Sequence, residues 1–288
     1  MNWLVFAIIA AILFGVSPLF MKSGMRKTNP YVGATVWATA LLIAALIVAA
    51  KNHAIGSLDG MGGLRLLFLL LSGIALGGCI IFLFKALKTG EAMRVVPVLL
   101  TEYFVYYFLK RLLERQLPGV MRILSLVVVI ISLVLILKGG KRGKNNWIAF
   151  SFLSLIFGIL SKYLYEYHVG GMSLYFKRVC LLLIVAVMAW IIAFATGSVR
   201  TIRNMSFLEG IYLIASVLLL WAGNEMAQRS GSLVSYQMLL FASLVALLIF
   251  ACVFLKEKIT TGYVIGIVLL EFVAALWLSY IPVLSAML

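Results

Sequence analysis

Residues 2–21 read NWLVFAIIAAILFGVSPLFM, a run without a single charged side chain, and Lys22 follows directly. About 20 consecutive apolar residues in a helix cross the hydrocarbon core of a bilayer. No basic residue precedes the run and no small-residue cleavage pattern follows it, so we expect a retained first membrane span and not a cleaved signal peptide. We therefore expect the protein to fold within a lipid bilayer.

The rest of the chain continues this pattern. Of its 288 residues, 65% are hydrophobic and 11% are charged, whereas soluble domains carry about 25% charged residues. Further apolar runs, bounded by charge, glycine or proline, cover residues 31–50, 64–86, 92–109, 119–137, 147–167, 172–196, 208–228, 232–255 and 262–283. With the first run, they predict an all-α membrane protein of ten transmembrane helices.

The second half of the sequence repeats features of the first half. Asn-Trp at positions 2–3 recurs at 146–147, and Phe-Gly at 14–15 recurs at 157–158. We predict two five-helix repeats, residues 1–140 and 145–288, which together form one membrane domain. Because five is odd, successive repeats have opposite orientations. In transporters this inverted plan places the substrate site near the membrane midplane, between the halves.

The fourth predicted helix starts at Gly90-Glu91-Ala92. A Leu-Glu-Arg motif at residues 113–115 follows it, and a Lys-Glu-Lys motif at residues 256–258 follows the ninth helix. With ten spans and a five-helix repeat, the chain resembles the drug/metabolite transporter superfamily, specifically its EamA-like members. The resemblance implies an inverted ten-helix bundle that works by alternating access, on substrates that range from amino acids to sugar phosphates. Pro97 stands where the resemblance implies a proline, whereas Met238 occupies the corresponding place in the second half.

The formal charge of +15 comes from basic residues that lie mostly in short clusters between the apolar runs. This placement suits anionic lipid headgroups better than nucleic acid. We therefore expect membrane lipids as partners, no nucleic acid, and a multi-pass location in a bacterial or archaeal plasma membrane. The charge distribution predicts both termini outside, whereas the resemblance implies termini in the cytoplasm, so the orientation stays open.

Ionisable side chains inside the apolar runs are the candidate site residues, because a charge in a membrane is costly unless it is paired or faces water. Arg94 and Glu102 lie on one helix face of the fourth run, with Tyr106 one turn further. Glu102 is a candidate proton or substrate-ammonium site. The equally weighted alternative is an ion pair that only fixes helix packing.

The second half contributes further candidates for substrate binding or coupling: Lys162, Glu166, Trp221, Asn224, Glu225 and Tyr236. Lys162 and Glu166 are four residues apart and could simply pair with each other. Trp221 beside Glu225 suits an ammonium group through cation–π attraction and charge. An interfacial anchor is the alternative for Trp221, and Tyr236 could equally be interfacial.

Lys85 completes the candidate binding set, although a lysine near a span end can also extend to the headgroups. Pro18 and Pro97 are candidate hinges, because proline removes a backbone donor from a helix. Glu271 lies beside a row of small residues, Gly262, Gly266 and Ala274. This row favours helix packing or a homodimer interface.

These features favour a secondary transporter that moves a small organic metabolite, an amino-acid-like zwitterion or a phosphorylated or anionic solute. Transport would be driven by a proton gradient or by exchange. A flippase for a lipid or lipid-linked sugar is the alternative. An enzyme is disfavoured, because the sequence has two histidines, one aspartate and neither a Walker loop nor a Gly-x-Ser-x-Gly motif. No metal and no cofactor is expected.

Overall fold

The computed structural model describes residues 2–53, 62–115, 119–138, 146–168, 174–229 and 236–285. Every regular element in these ranges is a helix, which confirms the all-α prediction for them. The α-helices are α1 (Asn2–Ser23), α2 (Pro30–Lys51), α3 (Gly63–Thr89), α4 (Ala92–Leu100), α5 (Glu102–Leu113), α6 (Val120–Lys138), α7 (Asn146–His168), α8 (Leu174–Ala195), α9 (Phe207–Arg229), α10 (Tyr236–Phe254) and α11 (Thr261–Ser285). A 3-10 helix, Ser198–Asn204, precedes α9.

Seven helical segments of the described ranges are long and apolar enough to cross a membrane, with α4 and α5 counted as one segment. They are α1, α2, α3, α4 with α5, α7, α8 and α9. The described parts of α10 and α11 form shorter apolar helices, Leu239–Phe254 and Thr261–Leu276. These helices support a multi-pass membrane protein, and the count of ten spans stays a prediction.

The chain divides into two compact units, and each unit takes residues from both halves of the sequence. Unit 1 comprises Met1–Leu19, Glu91–Asn145 and Leu219–Leu288. Unit 2 comprises Phe20–Gly90 and Asn146–Leu218. Two of the passages from one unit to the other lie inside helices, one after Leu19 in α1 and one after Leu218 in α9. The two predicted repeats, 1–140 and 145–288, stay a prediction.

In unit 2, small residues let α3 lie close to its neighbours. A β-carbon on Gly73 would stand 2.7 Å from Ile184 of α8, and one on Gly78 would stand 3.0 Å from the ring of Phe157 of α7. The buried Ser72 hydroxyl donates to the carbonyl of Ser161 at 2.9 Å, which links α3 to α7. Close approach through small residues and interhelical hydrogen bonds is typical of helices that associate in lipid.

In unit 1, the small residues of α11 contact α6 of the same chain. A β-carbon on Gly266 would stand 2.8 Å from the side chain of Ile136 and 2.8 Å from the carbonyl oxygen of Ser132. The predicted packing role of this row is thus present at Gly266. The homodimer stays a prediction.

Candidate functional site

The fourth predicted span is interrupted. Residues 92–109 were expected to form one helix, but α4 ends at Leu100 and α5 begins at Glu102, with Thr101 between them. The Thr101 hydroxyl donates to the carbonyl of Val98 at 2.7 Å. In a continuous helix, that carbonyl would accept from the amide of Glu102. A side-chain hydrogen bond that competes with the helical ladder therefore marks the interruption.

Pro97 opens a second gap in the same segment, because it lacks the N–H that a helix would direct at the carbonyl of Met93. The hydroxyl of Tyr263 in α11 donates to this carbonyl at 2.7 Å. Tyr263 is fully buried and belongs to unit 1, as α4 does. A side chain from a distant part of the sequence therefore satisfies the acceptor that Pro97 leaves open.

We predict that Tyr263→Phe lowers the free energy of unfolding by about 1–2 kcal/mol, because it leaves the buried carbonyl of Met93 without its donor. Alanine at position 97 restores a backbone N–H that can donate to the same carbonyl. Tyr263→Phe should therefore lower the free energy of unfolding clearly less in a Pro97→Ala background than in the wild type. Thermal unfolding of the wild type, both single variants and the double variant measures this coupling. Additive effects of the two substitutions would contradict the explanation.

Charged side chains surround the start of α4. The carboxylate of Glu257 accepts hydrogen bonds from the amides of Ala92 and Met93, at 2.9 and 3.1 Å. A carboxylate at this place satisfies free amides and complements the helix dipole. Arg94 is 2% exposed and forms an ion pair with Glu91. The structure thus places Arg94, a candidate site residue, within a buried polar cluster of unit 1.

The other unit 1 candidates lie on α5, α9 and α10. Glu102 is the first residue of α5 and is half-buried at the interruption. On α9, Asn224 and Glu225 are half-buried, and Trp221 is 42% exposed. Tyr236 begins α10, and its side chain lies outside the described residues. The carboxyl oxygen Oε1 of Glu271 is buried and has no hydrogen-bond partner among the described residues.

In unit 2, the ammonium group of Lys85 lies over three aromatic rings. Its Nζ is 4.6 Å from the ring centre of Tyr31, 5.3 Å from that of Phe150 and 5.6 Å from that of Phe82. Lys85 therefore points toward side chains of α2 and α7. Neither of the two other unit 2 candidates has this arrangement: Lys162 is half-buried on α7, and Glu166 is exposed near its end.

Glu209 is a buried carboxylate that the sequence interpretation missed. It is 5% exposed and accepts hydrogen bonds from the amide of Lys27, the hydroxyl of Thr28 and the amide of Ser206. The Ser206 hydroxyl accepts from the amide of Glu209 in return. Ser-x-x-Glu before an apolar run is the sequence signature of such a capping box. That signal was therefore readable at residues 206–209.

Comparison with known proteins gives three findings. Residues 1–138 match the EamA-like transporter family. A protein of Sinorhizobium sp named "Uncharacterized transporter in cobO 3'region" is 27% identical over 153 residues, which are 53% of this chain and 92% of the relative. A protein crystal structure superposes with a TM-score of 0.56 at 15% identity over 96% of both chains, so it shares the fold. Over its first 138 residues, the chain is therefore similar to the EamA-like transporter family.

Proposed function

We propose that the protein is a secondary transporter that moves a small zwitterionic or anionic organic solute across the membrane by alternating access. The interrupted fourth span carries this proposal. Discontinuous helices expose backbone groups inside the membrane, and transporters use such helices at their substrate and coupling-ion sites. Here the interruption is confined to Thr101, whose backbone stays in the right-handed helical region, and the half-buried carboxyl group of Glu102 follows it directly.

The proposal includes two inverted five-helix halves. Three observations support these halves. First, α2 packs on α8 and α6 packs on α11, so the second helices of the two predicted halves are paired and the last helices are paired. Phe14 packs against Gly223 in unit 1, and its repeat counterpart Phe157 packs against Gly78 in unit 2. The family match also ends at residue 138, close to the predicted end of the first repeat.

In this mechanism Pro18 serves as a hinge. The first point at which the chain leaves unit 1 for unit 2 lies between Leu19 and Phe20, directly beyond Pro18. A proline removes one helical hydrogen bond and is a common position of a helix kink. A change in the relation of the two units would therefore be absorbed at this position. The bacterial relative supports a bacterial plasma membrane as the location.

We propose Glu102 as the group that couples transport to protons, and exchange assays in proteoliposomes test this role. The panel comprises amino acids, sugar phosphates, nucleotide sugars and quaternary amines. We expect exchange of a zwitterion or an anion by the wild type. Glu102→Gln should retain this exchange but lose at least about 10-fold of the uptake driven by a pH gradient, because the amide cannot carry a proton. Glu114→Gln makes the same change at an exposed position just after α5 and is the control.

Equal loss of exchange and gradient-driven uptake in Glu102→Gln would contradict the coupling role and place Glu102 in substrate binding instead. If no panel member is exchanged but a fluorescent phosphatidylglycerol changes leaflet, the flippase alternative replaces the solute transporter. Basic side chains at one end of unit 2, including Lys22 and Lys88, are the feature that favours this alternative.

A further inference from the structure

The aromatic surroundings of Lys85 form a site of their own within unit 2. Tyr31 belongs to α2, Phe82 and Lys85 to α3, and Phe150 to α7, so three helices contribute. All four side chains are half-buried and remain partly open to the surroundings. The arrangement is therefore accessible to a ligand and is not sealed in the core.

The aromatic wall of this site is held in place by ring stacking. The ring of Phe82 lies nearly parallel to those of Phe150 and Phe157, at interplanar angles of 22° and 23°. The corresponding ring centres are 6.2 and 5.6 Å apart. Offset stacking of this kind is a favoured geometry for aromatic pairs. A wall that is already ordered costs a ligand less entropy on binding.

The charge of Lys85 has no matching carboxylate among the described residues. In the part of the chain that the structure describes, Lys85 forms no ion pair with an acidic side chain. The faces of the rings attract the ammonium group and displace part of its water. Within the described ranges, the three N–H donors of Lys85 make no hydrogen bond to an oxygen acceptor. An anionic group is the ligand that would satisfy these donors.

Nearby cations strengthen the preference for an anion. Lys88, one turn further along α3, donates to the carbonyls of Met25 and Arg26, and Lys22 donates to the carbonyl of Gly90 at the end of α3. Their charges are held at this end of α3 by backbone oxygens, which are neutral. The buried carboxylate of Glu209, which accepts from Lys27 and Thr28, offsets part of this charge. The side chains of Lys85, Lys88 and Lys22 nevertheless all carry positive charge, which attracts anionic ligands.

We propose that Lys85, with Tyr31, Phe82 and Phe150, binds a phosphate or carboxylate group attached to a flat apolar body that lies along the rings. This assignment rests on the proposed transport function, in which the ligand is the transported solute. A phospholipid headgroup offers the same phosphate chemistry, so the experiment distinguishes a soluble ligand from a lipid.

Thermal unfolding of the purified protein, with phenyl phosphate, methyl phosphate and benzyl alcohol as probes, tests the site. Phenyl phosphate should raise the Tm of the wild type by several degrees, because a ligand of the folded state stabilises it. Methyl phosphate should act more weakly, and benzyl alcohol should have no effect. Lys85→Met should abolish the response, whereas Lys85→Arg, which keeps the charge, should retain it. Lys51→Met removes the same charge from an exposed position at the end of α2 and should respond as the wild type does.

A phenyl phosphate response that survives in Lys85→Met would overturn the site. In a second arm, phosphatidylglycerol is added to phosphatidylcholine nanodiscs. If it stabilises the wild type but not Lys85→Met, and phenyl phosphate has no effect, the site belongs to a lipid headgroup and the solute assignment is wrong. Because binding is measured without transport, failure here leaves the exchange result for the proposed function standing. Lys85-dependent binding of phenyl phosphate without exchange of any zwitterion or anion of the panel would instead refute the transport function.

Discussion

Replacing Glu209 by alanine is expected to lower the free energy of unfolding by about 3 kcal/mol or more, since it leaves several buried donors without an acceptor. Its carboxylate accepts from the hydroxyl of Thr28 at 2.9 Å, from the amide of Ser206 at 3.2 Å and from the amide of Lys27. These bonds tie the connection between α1 and α2 to the first turn of α9. The substitution should therefore loosen this connection as well as the helix end.

Thermal unfolding in detergent, together with hydrogen exchange of residues 24–29, measures both effects. Glu209→Gln should lose less stability than Glu209→Ala, because the amide oxygen of glutamine can still accept a hydrogen bond. Glu225→Ala removes a half-buried carboxylate from the same helix and serves as the control. A loss of stability no larger in Glu209→Ala than in Glu225→Ala would show that the capping contacts contribute little.

Gly15→Ala is expected to destabilise unit 1 by about 3 kcal/mol, at the upper end of overpacking effects. A β-carbon at position 15 would stand 2.8 Å from the β-carbon of Ala246 and 2.8 Å from the amide nitrogen of Leu247. It would also meet the carbonyl oxygen of Ser243. Two of these atoms belong to the backbone of α10, so a rotamer change cannot remove the clash. The helices α1 and α10 would have to separate.

Gly63→Ala is the matched control for this variant. Gly63 is the first residue of α3, and a β-carbon there meets no atom within 4 Å. Since alanine favours helix more than glycine does, this substitution should be neutral or slightly stabilising. For both variants and the wild type, the yield of monodisperse protein and its Tm are measured. Equal stability of Gly15→Ala and the wild type would mean that α1 and α10 are not in close contact.

The interrupted fourth span shows how far the sequence could be interpreted. Pro97 was recognised as a candidate hinge, because the effect of proline on a helix is local. The interruption lies four residues later, at Thr101, since the Thr101 hydroxyl bonds to the Val98 carbonyl instead of staying free. The partner of the Met93 carbonyl, Tyr263, could not be predicted, because it comes from a helix 170 residues away in the sequence.

The sequence by itself determined that the chain is helical and embedded in a membrane, because long apolar runs can satisfy their backbone groups in lipid only by forming helices. It also showed a resemblance to the EamA-like transporters, whose family model matches residues 1–138. Only the tertiary structure decided the direction of Lys85, since a flexible four-carbon stem can extend to the headgroups or turn inward with similar ease. Its aromatic neighbours Tyr31 and Phe150 come from α2 and α7, and only the packing of those helices against α3 brings their rings to the ammonium group.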